Sequence, residues 1–125
     1  MKQILIIALG GGIGASCRHL VSLASLRALG PNFPYGTIAV NVLGSFAMGV
    51  LIELMARRFD ASTELRLFLT TGMLGGFTTF STFSLDAVTL IERGDAGLAT
   101  IYLAGSIGLG LAALVAGLGL VRLFA

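Results

Sequence analysis

Four apolar runs, each about twenty residues or longer, follow one another with only short polar turns between them. This pattern leaves the chain few ways to fold. A helix rises 1.5 Å per residue, so about 20 apolar residues are what a 30 Å hydrocarbon layer demands of a spanning helix. The runs fall at roughly 3–29, 36–55, 64–91 and 97–121. Charged residues are 11% of the 125 and apolar residues 56%, whereas soluble domains carry about 25% charged residues. A chain this short leaves much of its surface exposed, so one core cannot hide so much apolar area. The expectation is an all-α membrane protein, a single domain over 1–125 with four transmembrane helices.

The turns carry the usual helix stops. Leu29-Gly30-Pro31-Asn32 with Pro34 closes the first run, because proline cannot continue a helix. Arg57-Arg58-Phe59-Asp60 and Glu92-Arg93-Gly94-Asp95 mark the other two. The first run lacks the short apolar core and small-residue cleavage site of a signal peptide, and no stretch is left for a soluble domain. Four spans put both termini on one side, with Lys2, Arg57, Arg58, Arg66 and Arg122. The opposite side has Arg27 and Arg93, and Arg18 lies inside the first run. The positive-inside rule favours termini in the cytoplasm, by a margin small enough to leave insertion in both directions open. A net charge of +2 is accounted for by this topology, and no nucleic-acid partner is expected. Cys17 cannot pair within the chain, and one cysteine with one histidine, His19, is not a metal-ligand set.

Residues 4–15, ILIIALGGGIGA, match a dinucleotide-binding turn through Gly10-x-Gly12-x-x-Ala15. That motif requires an acidic residue about 20 positions on to hold a ribose, and none occurs before Glu53. Gly10 and Gly14 are better read as GxxxG, where missing side chains let a neighbouring backbone approach. In the second run Thr37, Asn41, Ser45 and Gly49 lie four apart and share one helix face. Two readings of Asn41 remain open, a hydrogen-bonding tie between helices and the lining of a water-filled path. The fourth run holds Gly105, Ser106, Gly108, Gly110, Gly117 and Gly119, read mostly as packing, with Ser106 and Tyr102 as candidates for a polar lining. A bundle of this size encloses little space, so the functional unit is expected to be an oligomer. Charges inside a membrane are costly. Arg18 is expected to form a structural pair or to snorkel, His19 and Asp86 receive no role, and Glu53 forms an i,i+4 surface pair with Arg57.

The third run contains the least ordinary stretch, Gly75-Gly76-Phe77-Thr78-Thr79-Phe80-Ser81-Thr82-Phe83-Ser84. Gly72, Gly75 and Gly76 each weaken a helix by roughly 1 kcal/mol relative to alanine, so the third helix is expected to break there, at its centre. A break frees backbone carbonyls that must face protein, water or an ion. On a helical wheel Phe77, Phe80 and Phe83 form one stripe, with Thr78, Ser81 and Thr82 roughly opposite. Hydroxyl and amide groups donate to anions, and phenylalanine ring edges carry partial positive charge. No ring of carboxylates argues for a cation pore. These features together point to an anion path.

Gly11-Gly12-x-Gly14-Ala15-x-x-Arg18, Asn41-x-x-Gly44-Ser45-Phe46-x-x-Gly49 and Gly75-Gly76-Phe77-Thr78-Thr79-Phe80-Ser81-Thr82-Phe83 together resemble the fluoride-specific ion channel family, Fluc or CrcB. The resemblance spans the whole chain. It departs from the common pattern at Leu74, where the family often has cysteine. It implies a passive fluoride channel of the bacterial inner membrane, multi-pass, that exports fluoride through two pores of an antiparallel, dual-topology homodimer. By resemblance Asn41, Phe80 and Phe83 belong to the pore, with Ser81, Thr82 and Ser106 as hydroxyls along it. The Gly75 and Thr78 carbonyls, one pair per subunit, match a structural sodium site, with Gly75, Gly76 and Thr78 forming the break in the third helix. Arg18 is either structural or a source of pore electrostatics.

Three other classes fit less well. A small four-helix, proton-coupled drug exporter needs a membrane carboxylate in its first helix, and here that helix has Arg18 and no acid. A non-conducting membrane assembly factor would not need the hydroxyl-phenylalanine block. An enzyme lacks a nucleophile–base–orienter set.

Overall fold

A computed structural model describes residues 1–58 and 60–124. The described chain is all helical, with α1 (Lys2–Leu29), α2 (Tyr35–Arg57), the short α3 (Thr63–Arg66), a π-helical segment (Leu67–Leu74), α4 (Gly75–Phe77), α5 (Phe80–Glu92) and α6 (Ala96–Phe124). Among the described residues, four stretches are long and apolar enough to cross a membrane: α1, α2, Thr63–Glu92 and α6. Gly30 (φ 82°) and Gly94 (φ 86°) turn the chain after the first and third of these, a left-handed backbone that only glycine adopts freely. Much of α1 and α6 presents large apolar side chains outward, among them Ile4, Leu5, Leu9, Ile101, Leu111 and Val115. Helices satisfy their own backbone groups, so such faces suit lipid.

Backbone proximity holds the helices in two pairs. Gly10 and Gly72 bring α1 against the π segment, where a Cβ on Gly10 would lie 2.6 Å from the Phe68 carbonyl oxygen. A Cβ on Gly76 would lie 2.4 Å from the Gly11 oxygen, so α4 also rests on α1. In the other pair, Gly49 of α2 and Gly117 of α6 face each other's backbones, each with a would-be Cβ 2.3 Å from a carbonyl oxygen of the opposite helix. The small apolar core lies toward the end of the bundle opposite the termini: Phe83, Ala87 and Leu90 of α5 against Ala99 and Tyr102 of α6, with Phe33 packed on them. Gly105, Gly108 and Gly119 meet nothing within 4 Å, so the packing role expected of them is not exercised within one chain.

The third stretch is interrupted by residues other than its glycines. Gly75 is helical (φ −62°, ψ −37°), whereas Thr78 (φ −114°, ψ 133°) and Thr79 (φ −139°, ψ 120°) are extended. The β-branched threonines are at ease in that conformation. Thr79 is the N-cap of α5, its hydroxyl accepting from the Thr82 N–H at 3.2 Å, which satisfies one of the free donors of a new helix. Gly72 and Gly76 instead provide contact with α1, and Gly44 makes room on α2 for the Thr78 methyl, which a Cβ there would approach to 2.2 Å. The helical wheel drawn through the block therefore fails at Thr78, and Phe77 does not continue the face of Phe80 and Phe83.

A second difference concerns Glu53. Rather than a surface pair, it is buried, with its side chain 8% exposed, and it binds both Arg57 and Arg122, the latter at 3.2 Å. This ties the end of α2 to the end of α6. Near the same end, Arg66 reaches the Met55 and Ala61 carbonyls, and Lys2 pairs with Glu64 at 3.6 Å.

Candidate functional site: polar hollows around the extended threonines

Asn41 sits in the second turn of α2 and faces Thr79. Its carboxamide oxygen accepts from the Thr79 N–H at 2.6 Å, and its nitrogen donates to the Thr79 carbonyl at 3.2 Å. Both backbone groups of Thr79 are thereby satisfied. Asn41 thus ties α2 to the third span through the backbone, and it also lines a groove of about 340 Å³ with Ser45, Thr78, Thr79, Phe80, Phe83, Ser106 and Gly110. The tie between helices is the reading these hydrogen bonds show, and the same side chain also borders the groove.

The phenylalanines of this groove are unequal. Phe83 is 8% exposed and packs on Tyr102 with ring centroids 5.1 Å apart, while Phe80 is 79% exposed, 5.9 Å from Phe83. Opposite them the Ser106 hydroxyl is buried with no hydrogen-bond partner among the described residues. A buried, unpaired hydroxyl is costly, and here it is held at a groove wall.

Two further hollows follow. A cavity of about 220 Å³ is lined by Ala15, Arg18, His19, Ser22, Thr37, Val40, Thr79 and Thr82. A third, about 340 Å³, opens near the first turn and includes Asn32, Thr37, Thr82, Asp86 and Arg93. Thr37, Thr82 and Ser22 belong to both of these, and Thr79 to the groove and the smaller cavity. The polar stripe of α2 is thus divided between tasks, with Thr37 on the cavities, Asn41 on Thr79, Ser45 in the groove and Gly49 against α6.

Arg18 lines the smaller cavity with its Nε buried and unpartnered, and among the described residues no carboxylate lies within ion-pair distance of it. Thr82 faces the two cavities rather than the phenylalanine groove. Ser81 is exposed and lines none of the three hollows; its hydroxyl lies 3.3 Å from that of Thr79. Sequence reasoning gave Asp86 no role, yet its carboxyl accepts from the Thr37 hydroxyl at 2.7 Å and the Tyr102 hydroxyl at 3.1 Å, and Tyr102 is wholly buried. The i,i+4 repeat from Thr37 to Asn41 pointed at this region, but the pairing of Thr37 with Asp86 spans 49 residues and has no local signature.

The residues named for sodium also fit a hard cation. In a continuous helix the Thr79 N–H would bond the Gly75 carbonyl, but it is taken by Asn41. Among the described residues no hydrogen bond formed outside the helices reaches the Gly75 or Thr78 oxygen. Free carbonyls at an unwound span are typical sodium ligands. No group of three His, Cys, Asp or Glu side chains suited to a metal occurs among the described residues, so backbone oxygen is the available donor.

The family model for "CrcB-like protein, Camphor Resistance (CrcB)" matches residues 5–118. The chain belongs to the CrcB family. It is 57% identical over 125 residues to a fluoride-specific ion channel FluC of Rhizobium etli, covering all of both chains. A protein of the same name from Agrobacterium fabrum is 57% identical over 122 residues, 98% of each chain. Another, from Cereibacter sphaeroides, is 56% identical over 122 residues, 98% of this chain and 96% of that one. Nothing in these relatives supports a drug exporter, and the family is one of ion channels rather than enzymes.

Proposed function

We propose that this chain is a fluoride-selective channel of the bacterial inner membrane, a multi-pass protein that lets fluoride leave the cytoplasm passively. The observation that carries this reading is the groove beside Thr79. A ring pair and an unpartnered Ser106 hydroxyl meet there inside an otherwise apolar bundle. Ring edges of Phe80 and Phe83 and the donors of Asn41 and Ser106 replace part of the water that a small anion must shed. Arg18 in the adjoining cavity raises local anion concentration, since a low-dielectric wall strengthens its field. Thr37 and Thr82 continue the donor series toward the first turn. No single site holds the ion strongly, which conduction requires.

The functional unit in this reading is an antiparallel, dual-topology homodimer with two pores. Its support is the asymmetry of the groove: Phe83 is enclosed but Phe80 is open, so one chain supplies only part of the wall. The Gly75 and Thr78 carbonyls of both subunits hold a structural sodium ion, which supplies positive charge to carbonyls that would otherwise face one another unsatisfied.

Fluoride efflux from proteoliposomes of the purified protein, measured beside chloride efflux and empty vesicles, tests this directly. Rapid fluoride release with little chloride release is expected, and folded protein that releases no fluoride refutes the channel reading. Phe80→Ile and Phe83→Ile are each expected to abolish release without altering the oligomer on size exclusion. Unchanged release would remove the rings from the path.

A further inference from the structure

We infer that Asn41 is a positioning residue for the carbonyl site, acting through Thr79, and so couples the anion groove to the cation. This rests on the reading of Gly75 and Thr78 as sodium ligands. A helix that lost the Asn41 contacts would have an idle Thr79 N–H one turn from the Gly75 oxygen, the partner that an i→i−4 bond provides. Closing that bond occupies one of the two Gly75 carbonyl lone pairs and pulls Thr78 back toward helical geometry. The Asn41 oxygen prevents this by accepting from Thr79 at 2.6 Å, and its nitrogen secures the same residue's carbonyl at 3.2 Å. The side-chain amide behaves as a short piece of neighbouring strand. Its carboxamide nitrogen has two hydrogens, only one of which is needed for Thr79, and Asn41 lines the groove. One side chain therefore faces both sites.

The chain allows a direct readout of the Gly75 carbonyl. Only three Gly–Gly peptide bonds occur, Gly10–Gly11, Gly11–Gly12 and Gly75–Gly76. Labelling glycine with carbonyl carbon-13 and nitrogen-15 therefore leaves very few carbon–nitrogen correlation signals in an NMR spectrum of the whole protein. In the wild type, sodium chloride added in place of N-methylglucamine chloride is expected to shift the Gly75 signal saturably and leave Gly10 in place. Asn41→Ser is too short to hold Thr79. It should move the sodium-free Gly75 signal to the helical, hydrogen-bonded position and raise the sodium midpoint by about two- to twelvefold, the ratio for one net hydrogen bond.

Val121→Ala, which loosens a buried site on α6 far from Thr79, should leave the midpoint unchanged, separating positioning from general destabilisation. Asn41→Asp retains the acceptor for the Thr79 N–H and should keep the sodium-free Gly75 signal at its wild-type position, so the inference stays testable if the serine variant does not assemble. An Asp variant with a helical Gly75 signal, or a Ser variant with a wild-type midpoint, overturns the inference alone. A wild type whose Gly75 signal ignores sodium overturns the cation site and the inference with it.

Discussion

Replacing Gly49 by alanine tests whether backbone contact between α2 and α6 shapes the groove. The added Cβ would lie 2.3 Å from the Leu114 oxygen, whereas ordinary contact begins near 3.4 Å, so the two helices must part by about 1.1 Å. The obstacle is backbone in a helix, which cannot rotate away as a side chain would. Overpacking of this kind costs roughly 1–3 kcal/mol, and the upper end applies because both partners are main chain. Alanine returns about 1 kcal/mol through better helix propensity. The net loss is about 2 kcal/mol, an order-of-magnitude figure. Gly119→Ala on α6 meets nothing within 4 Å among the described residues and should gain up to about 1 kcal/mol from propensity. The pair is therefore expected to move in opposite directions when the folded fraction is followed by temperature-ramped size exclusion in detergent. Separation of α2 from α6 also moves Ser45 away from Gly110, now 3.8 Å from the Ser45 hydroxyl at its would-be Cβ, so fluoride efflux should fall in Gly49→Ala even where folded protein is recovered. Equal stability of the two variants would refute the contact argument.

Tyr102→Phe removes one of two donors to Asp86 and is expected to lower stability by about 1–3 kcal/mol and to change fluoride conductance; thermal unfolding and efflux measure the two effects separately. Arg18→Gln removes the unpaired cation from the smaller cavity and should reduce efflux most at low salt, because screening weakens the wild-type advantage as ionic strength rises; a salt-independent deficit would contradict an electrostatic role. Glu53→Gln and Arg122→Ala should each lower the unfolding midpoint, and the double variant should lose less than the two effects added, since both remove the same tie.

The four spans could be read from the sequence because burial in lipid demands length and apolarity, two quantities a sequence displays. The hydroxyl-phenylalanine block was equally visible, but the cause assigned to its interruption was not. Glycine propensity pointed to Gly72, Gly75 and Gly76, and the resemblance added Thr78, while the extended residues are Thr78 and Thr79. What decides this is tertiary: α1 occupies the space left by Gly76, and Asn41 competes for the Thr79 backbone. The π-helical turn at Leu67–Leu74 has no sequence signal of its own. Asp86 was overlooked because its meaning lies in Thr37 and Tyr102, which reach it from two other helices. Glu53 appeared to be a local pair since Arg57 is four residues away, whereas Arg122, 69 positions further on, arrives only once α6 folds against α2.

The hydrogen bonds around Thr79 and Asp86 imply something about the price an incoming ion meets. Thr37 and Tyr102 already give their protons to a carboxyl, and Asn41 already serves a peptide group. In the proposed channel reading, an anion arriving at these donors is exchanged for an acceptor the protein itself provides, much as a ligand displaces a resident one, while among the described residues the Ser106 hydroxyl and the Arg18 Nε are buried donors without a partner. On that reading the route is solvated by its own walls when no ion is present. Occupancy then costs the protein little in either direction, and the same exchange that admits fluoride resets the donors as it departs.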